Sequence, residues 1–168
     1  PVSCEFKQKG TQVIFNLGDY DKSRSVIIDP TVYATYLGTN KLDEIRKIAR
    51  DNITGDIIAV GFTDSDQFPE TVGSYSNLNG GFGGSTDAFV TKFSADLTSI
   101  KWSTFIGGGG VDKAVAVALD PNANIYLAGE TTSTDFPNKG NFISERPGAV
   151  DAFFAKLSSI GDKLLASS

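Results

Sequence analysis

The chain has 168 residues, 40% of them hydrophobic, enough to enclose a packed core and to exclude disorder throughout. Its formal charge is −5 and its 15 Lys and Arg are scattered, so no basic face exists to displace counterions from a nucleic-acid backbone, and nucleic acid is not an expected partner. No run approaches the ~18 apolar residues of a membrane-spanning helix, and the absence of His excludes Ser-His-Asp and Cys-His nucleophiles and His-based zinc sites.

In chain order, Cys4-Glu-Phe-Lys and Gln12-Val-Ile-Phe-Asn16 flank Lys9-Gly10 and predict a hairpin, with one strand at Ser25-Val-Ile-Ile28 leading in. The single cysteine, Cys4, excludes an internal disulfide and is expected to be a bland residue near the end. Lys41 to Arg50 reads either as a charged amphipathic helix or, from its partner later in the chain, as a strand; strand is the expectation. Ile57-Ile-Ala-Val60, Ala88 to Phe93 and Ile100 to Ile106 are short apolar runs. Ala114 to Leu119 and Ile125-Tyr-Leu-Ala128 flank the turn-forming Asp120-Pro-Asn-Ala-Asn124, and Ala152 to Leu157 and Lys163 to Ala166 flank Ser158-Ser-Ile-Gly-Asp162, predicting two more hairpins.

These elements are duplicated. Tyr33-Ala-Thr-Tyr-Leu-Gly38 returns as Trp102-Ser-Thr-Phe-Ile-Gly107, Asp43 as Asp112, Asp51 as Asp120, Gly61-Phe-Thr63 as Gly129-Glu-Thr131, Ser65 with Phe68-Pro69 as Ser133 with Phe136-Pro137, and Asp87 to Phe93 as Asp151 to Leu157. Length changes fall in turns and in the loops 70–86 and 138–150. Four short antiparallel strands per unit is the content of a propeller blade. The expected fold is therefore all-β: two four-stranded blade-like repeats behind an N-terminal hairpin, with boundaries at 1–30, 31–100 and 101–168. Ser167-Ser168 aligns with Ser103-Thr104, inside the opening strand of a third repeat. With no Met and a Pro at position 1, the chain is expected to be a processed form or a segment of a longer one.

The blocks Tyr33 to Gly38, Gly61 to Thr63, Phe68-Pro69 and Asp87 to Lys92, with their second copies, resemble the SBBP family of bacterial β-propeller repeats. The lead-in blocks Phe15 to Asp21 and Val26 to Pro30 resemble the β-rich segment that precedes such repeats. The resemblance implies secreted or cell-surface bacterial proteins with many repeats, and it implies no reaction and no catalytic residue.

The candidate sites are sparse. Asp64, Asp66 and Glu70 form the best local carboxylate cluster for glycoside chemistry, against the plainer reading of turn residues binding backbone amides. Asp51-Asn-Ile-Thr-Gly-Asp56 has oxygen ligands at alternating spacing but lacks the bidentate Glu of a calcium loop, and reads better as a hairpin turn. The run Gly107 to Gly110 lacks the Lys-Ser/Thr of a phosphate cradle and is expected to be a flexible inter-strand loop with room for positive φ. Tyr33, Tyr36, Trp102 and Phe105 are expected in the core. Ligand contact is assigned to Phe82, on the Gly80-Gly-Phe-Gly-Gly84 loop, and to Asp64 and Asp66; no catalytic residue, metal or cofactor is expected.

The function expected is a non-catalytic structural or binding module, extracellular or at the bacterial cell surface. It would act through self-association, the remaining blades of a longer chain, or contacts of its long loops with protein or glycan. The rival is a fragment of a carbohydrate-active enzyme using Asp64, Asp66 or Asp135.

Overall fold

The computed structural model describes the chain outside residues 1–3, 10–11, 25–33, 66, 72, 76–85 and 141–148. Every regular element among the described residues is a strand. Residues 1–32 and 33–168 form two compact units. In the first, β1 (Cys4–Lys9) and β2 (Gln12–Leu17) pair antiparallel, from Cys4 opposite Leu17 to Lys9 opposite Gln12. The lead-in strand expected at 25–28 lies outside the described residues.

The second unit holds two four-stranded antiparallel sheets. One runs β3 (Asp43–Arg50), β4 (Ile57–Thr63), β5 (Asp87–Phe93), β6 (Ile100–Ile106), and the other runs β7 (Asp112–Leu119), β8 (Ile125–Thr131), β9 (Asp151–Leu157), β10 (Leu164–Ser167). The fold is all-β, and Lys41 to Arg50 is mostly strand rather than helix. Each sheet is a meander and matches the other strand for strand. Sequence repeat and sheet are offset by one strand: the block Trp102 to Ile106, which opens the second repeat, is the last strand of the first sheet.

The duplication extends to irregularities. The first strand of each sheet carries a bulge at the same place, at Arg46 in β3 and Val115 in β7, where the register slips against the neighbour. Opposite each bulge stands the Gly of the Gly-x-Thr block. A Cβ on Gly61 would lie 1.8 Å from the Glu44 carbonyl oxygen, and one on Gly129 would lie 2.1 Å from that of Lys113. Only glycine admits that approach, which is why the block needs it.

One face of the first sheet and one of the second share a core. Ile58, Val60, Ala88, Val90, Trp102 and Ile106 pack against Ala114, Ile125, Leu127, Phe153, Ala155, Leu157 and Leu164. The other face of the first sheet holds a smaller cluster of Phe68, Phe89 and Phe105 with Leu37. Within each repeat the Phe of the Phe-Pro turn lies on the Phe of the Asp-Ala-Phe strand: Phe68 and Phe89 have ring centroids 4.6 Å apart at 34°, Phe136 and Phe153 4.5 Å apart at 32°. Those two motifs recur together because they are one contact.

Trp102 and Phe105 are buried as expected, but Tyr36 is fully exposed and Tyr33 lies outside the described residues. The correction for Tyr36 has a physical reason. Its counterpart Phe105 sits on a β-strand that packs on Phe68, whereas residues 34–39 are irregular and no described sheet lies under that ring.

Candidate functional site

At one end of each sheet the strands begin and end on a row of polar residues: Asp43, Thr63 and Asp87 side by side in the first, Asp112, Thr131 and Asp151 in the second. Asp43 accepts hydrogen bonds from the Thr63 hydroxyl, from Ser65 Oγ at 2.9 Å and from the Thr39 N–H at 2.9 Å. Asp112 accepts through Oδ2 from Ser133 Oγ at 2.6 Å and the Gly108 N–H at 2.7 Å. Thr63 and Thr131 in turn accept the N–H of Ser65 and Ser133. The repeated Asp, Thr and Ser are thus one device that satisfies buried polar groups at the strand ends.

Between the sheets this end becomes crowded with carboxylates. The Asp112 N–H donates to the Thr86 carbonyl at 2.8 Å, so β7 begins against the residue before Asp87. A Cβ on Gly107 would lie 2.7 Å from Asp112 Oδ2 and 3.0 Å from Asp87 Oδ1, so both acids converge on one point. Asp112 is wholly buried and Asp87 nearly so. Burial, then the neighbouring charges of Asp112 and Asp64, push the Asp87 carboxyl up to about 7. Asp112 Oδ1 is buried without a hydrogen-bond partner.

Asp64 takes part in this junction: its Oδ1 accepts from the Thr86 hydroxyl at 2.6 Å, and its N–H donates to the Leu42 carbonyl at 2.8 Å. That is the turn-stabilising role weighed against ligand contact. Asp66 and Phe82, and the loop tips on which recognition was expected, lie outside the described residues. Asp135 is exposed and accepts from the Gly109 N–H at 2.7 Å, and Glu70, after the Phe68-Pro69 turn, is exposed. Gly107 to Gly110 do not use the positive φ that glycine leaves room for. Small size is needed instead at Gly107, Gly108 and Gly110, because Asp87, Asp112, Asp135, Ser133 and Thr132 fill the space a side chain would take. The N–H groups of Gly108, Gly109 and Gly110 donate to Asp112, Asp135 and Ser133, so they form no phosphate cradle.

At the opposite end of the first sheet, the turn compared with a calcium loop is occupied by lysine. Asp51 accepts from the N–H groups of Ile53 and Thr54 and from the Thr54 hydroxyl, and Lys92 Nζ donates to its Oδ2 at 2.8 Å. Asp56 lies 3.5 Å from Lys92 and 2.7 Å from Lys101. Burial acts to raise the Asp51 and Asp56 carboxyls, but their lysine partners and donors outweigh it and hold both below the ordinary value. The second sheet repeats the pair more openly, with Lys156 3.2 Å from Asp120. No described residues group into a carboxylate and Cys cluster fit for a metal ion.

The outward face of the second sheet is open. Phe154 is 65% exposed and Tyr126 41%, whereas their counterparts Val90 and Ile58 are fully buried against the second sheet. Together with Lys156, Ala166 and Ser168 they line a groove of about 480 Å³. Lys156 covers part of it, its ammonium 4.7 Å from the centre of the Tyr126 ring and donating to the Tyr126 hydroxyl at 2.7 Å.

No curated protein matches the chain. Residues 101–137 match the family model of the SBBP beta-propeller repeat, a stretch that contains most of β6, all of β7 and β8, and the Phe136-Pro137 turn. Of these, β7, β8 and the Phe-Pro turn have structural doubles in β3, β4 and Phe68-Pro69 of the first sheet, so the matched stretch is similar to a β-propeller repeat and its strands recur once more in the chain.

Proposed function

We propose that this chain is a non-catalytic structural and binding module of a secreted or cell-surface bacterial protein, and that it works by stacking a further blade on the outward face of its second sheet. The β-propeller repeat makes a structural module the coarse reading. The single observation that carries the finer one is the exposure of Tyr126 and Phe154 where Ile58 and Val90 are buried. One sheet already packs its equivalent face on the back of the next, so the open face continues an interface that the molecule builds once within itself. The occupant we commit to is a blade of a second copy of this chain; contacts of the long loops with protein or glycan are secondary.

The test is light scattering coupled to size exclusion over a concentration series, on the chain and on the double variant Tyr126→Asp, Phe154→Asp. Association of the unaltered chain that the double variant abolishes supports the reading. A monomer at every concentration, or association indifferent to the substitutions, overturns it. Turnover of a polysaccharide that disappears with Asp66→Asn would replace it with the enzymatic alternative.

A further inference from the structure

The junction between the two sheets contains an acid with no evident structural use for its charge. Asp87, at the start of β5, and Asp112, at the start of β7, belong to different sheets, are both buried, and bring their carboxyl groups to the same spot beside Gly107, Asp87 through Oδ1 and Asp112 through Oδ2. Asp112 commits Oδ2 to Ser133 and Gly108, yet its Oδ1 is a buried acceptor with no donor. An unsatisfied buried acceptor is costly, and an ionised neighbour would make it costlier.

We propose that Asp87 is held as a carboxylic acid whose O–H donates to Asp112 Oδ1, and that this proton is a removable latch between the two sheets. The proton solves both problems at once: it removes a like charge from the junction and supplies the missing donor. Two carboxyl groups sharing one proton are a stable arrangement where two carboxylates are not.

The surroundings favour the protonated form. Asp64 reaches the junction from the end of β4 and Asp135 lies beyond Gly109 after β8, both acidic. Asp43, on β3 in the same row, is held by Thr63, Ser65 and Thr39. The cations of these strands are directed elsewhere: Arg46 and Lys113 stand over the Phe62 ring at 5.2 and 5.1 Å, Lys113 also faces Glu130 at 3.7 Å, and Lys92 is bound at the far end of the sheet.

The latch makes the junction acid-strengthened. The folded chain keeps a proton that the unfolded chain releases near the ordinary value of 3.8. Stability from this group is therefore fully present below that value and is lost as pH rises through about 7. Above that, the two sheets meet across like charges. This inference rests on contacts within one chain and stands or falls independently of the stacking reading.

The test follows the thermal midpoint of the full chain from pH 5.5 to 8.5, beside Asp87→Asn, whose amide can donate to Asp112 Oδ1 at any pH. The chain should lose about 5 °C or more across that range, and Asp87→Asn should flatten the loss and exceed the unaltered chain at pH 8.5. Equal slopes for the two overturn the proposal. Carbon-13 carboxyl NMR of the unaltered chain gives a readout that does not depend on the variant folding: an Asp87 midpoint near 7 supports the latch, and one near 4 overturns it. Calcium that raises the midpoint at pH 8.5 in the chain but not in Asp87→Asn would show a cation site in place of a proton, and would also overturn it.

Discussion

Leu97 and Gly161 occupy the same turn position in successive repeats, and both take left-handed backbone, with φ of 56° and 70°. The turn after β4's predecessor shows the reverse assignment, with Gly55 at 80° and Ala123 at 59°. The geometry is set by the hairpin, so each repeat states what the other needs. A residue with a Cβ in this region costs roughly 1–2 kcal/mol, offset in part by the greater freedom glycine has when unfolded. Leu97→Gly and Ala123→Gly should each leave stability unchanged or raise it, by up to about 1 kcal/mol in denaturant titration. A loss above that size in both would mean that the Leu97 and Ala123 side chains contribute more than their backbone strain costs.

Gly61 and Gly129 give the opposite expectation. Each faces a bulge carbonyl at a distance no Cβ tolerates, and backbone cannot move aside as a flexible side chain can. Gly61→Ala and Gly129→Ala should cost at least about 3 kcal/mol or prevent folding, since the bulged strand must shift. Cost below about 1 kcal/mol, measured the same way, would show that the bulges are soft.

Much of this was legible in the residues. The repeat revealed the strands, the hairpins and the recurrence of Phe-Pro and Asp-Ala-Phe, because repeated contacts leave repeated letters; that those two blocks touch each other was visible only in the fold. Asp43 and Asp112, and Asp87 and Asp151, stood out as repeated positions, but not as a site. Nothing local says that Asp87 of one sheet meets Asp112 of the next; that follows only when β7 is laid against β5. Tyr36 misled for the same reason: its letter matched Phe105, but burial depends on the sheet beneath the strand and not on the strand itself. Asp64 was noticed for its charge, while its partner Thr86 carries no signature beyond a hydroxyl.

Phe89 and Phe153 test whether the two repeats are energetically as well as geometrically equivalent. Both are about 1% exposed and each lies under a Phe-Pro ring at nearly the same distance and tilt. Phe89→Ala and Phe153→Ala should each cost about 3–5 kcal/mol. They belong to different clusters, Phe153 to the core between the sheets and Phe89 to the smaller one behind the first sheet. Comparable losses show that the stacked Phe pair dominates both sites; a loss under about 1 kcal/mol at either shows that the ring there is not held.

The last prediction concerns the lysine that fills the first turn. Lys92 lies 2.8 Å from Asp51 and 3.5 Å from Asp56, with all three side chains at most 9% exposed. Removing one partner of a buried pair leaves the others uncompensated, which typically costs 3–5 kcal/mol, so Lys92→Met should lose about that much at pH 7. Lys156→Met, at the more open counterpart with Asp120, should lose far less, because water screens what remains. The pH dependence has a definite sign. Asp51 and Asp56 have carboxyls held below the ordinary 3.8, so their stabilisation is present above that value and is lost as pH falls through it and below. Asp87 acts in the other direction over its own window, from 3.8 up to about 7. Stability of the unaltered chain should therefore be highest at mildly acidic pH and fall on both sides. In Lys92→Met the acid-side fall should shrink, because protonation there relieves uncompensated charge instead of breaking a pair, while the fall toward neutral pH should persist. Midpoints from thermal unfolding between pH 2.5 and 8.5 decide it, and an acid-side fall as steep in Lys92→Met as in the unaltered chain would remove the Lys92 cage as its cause.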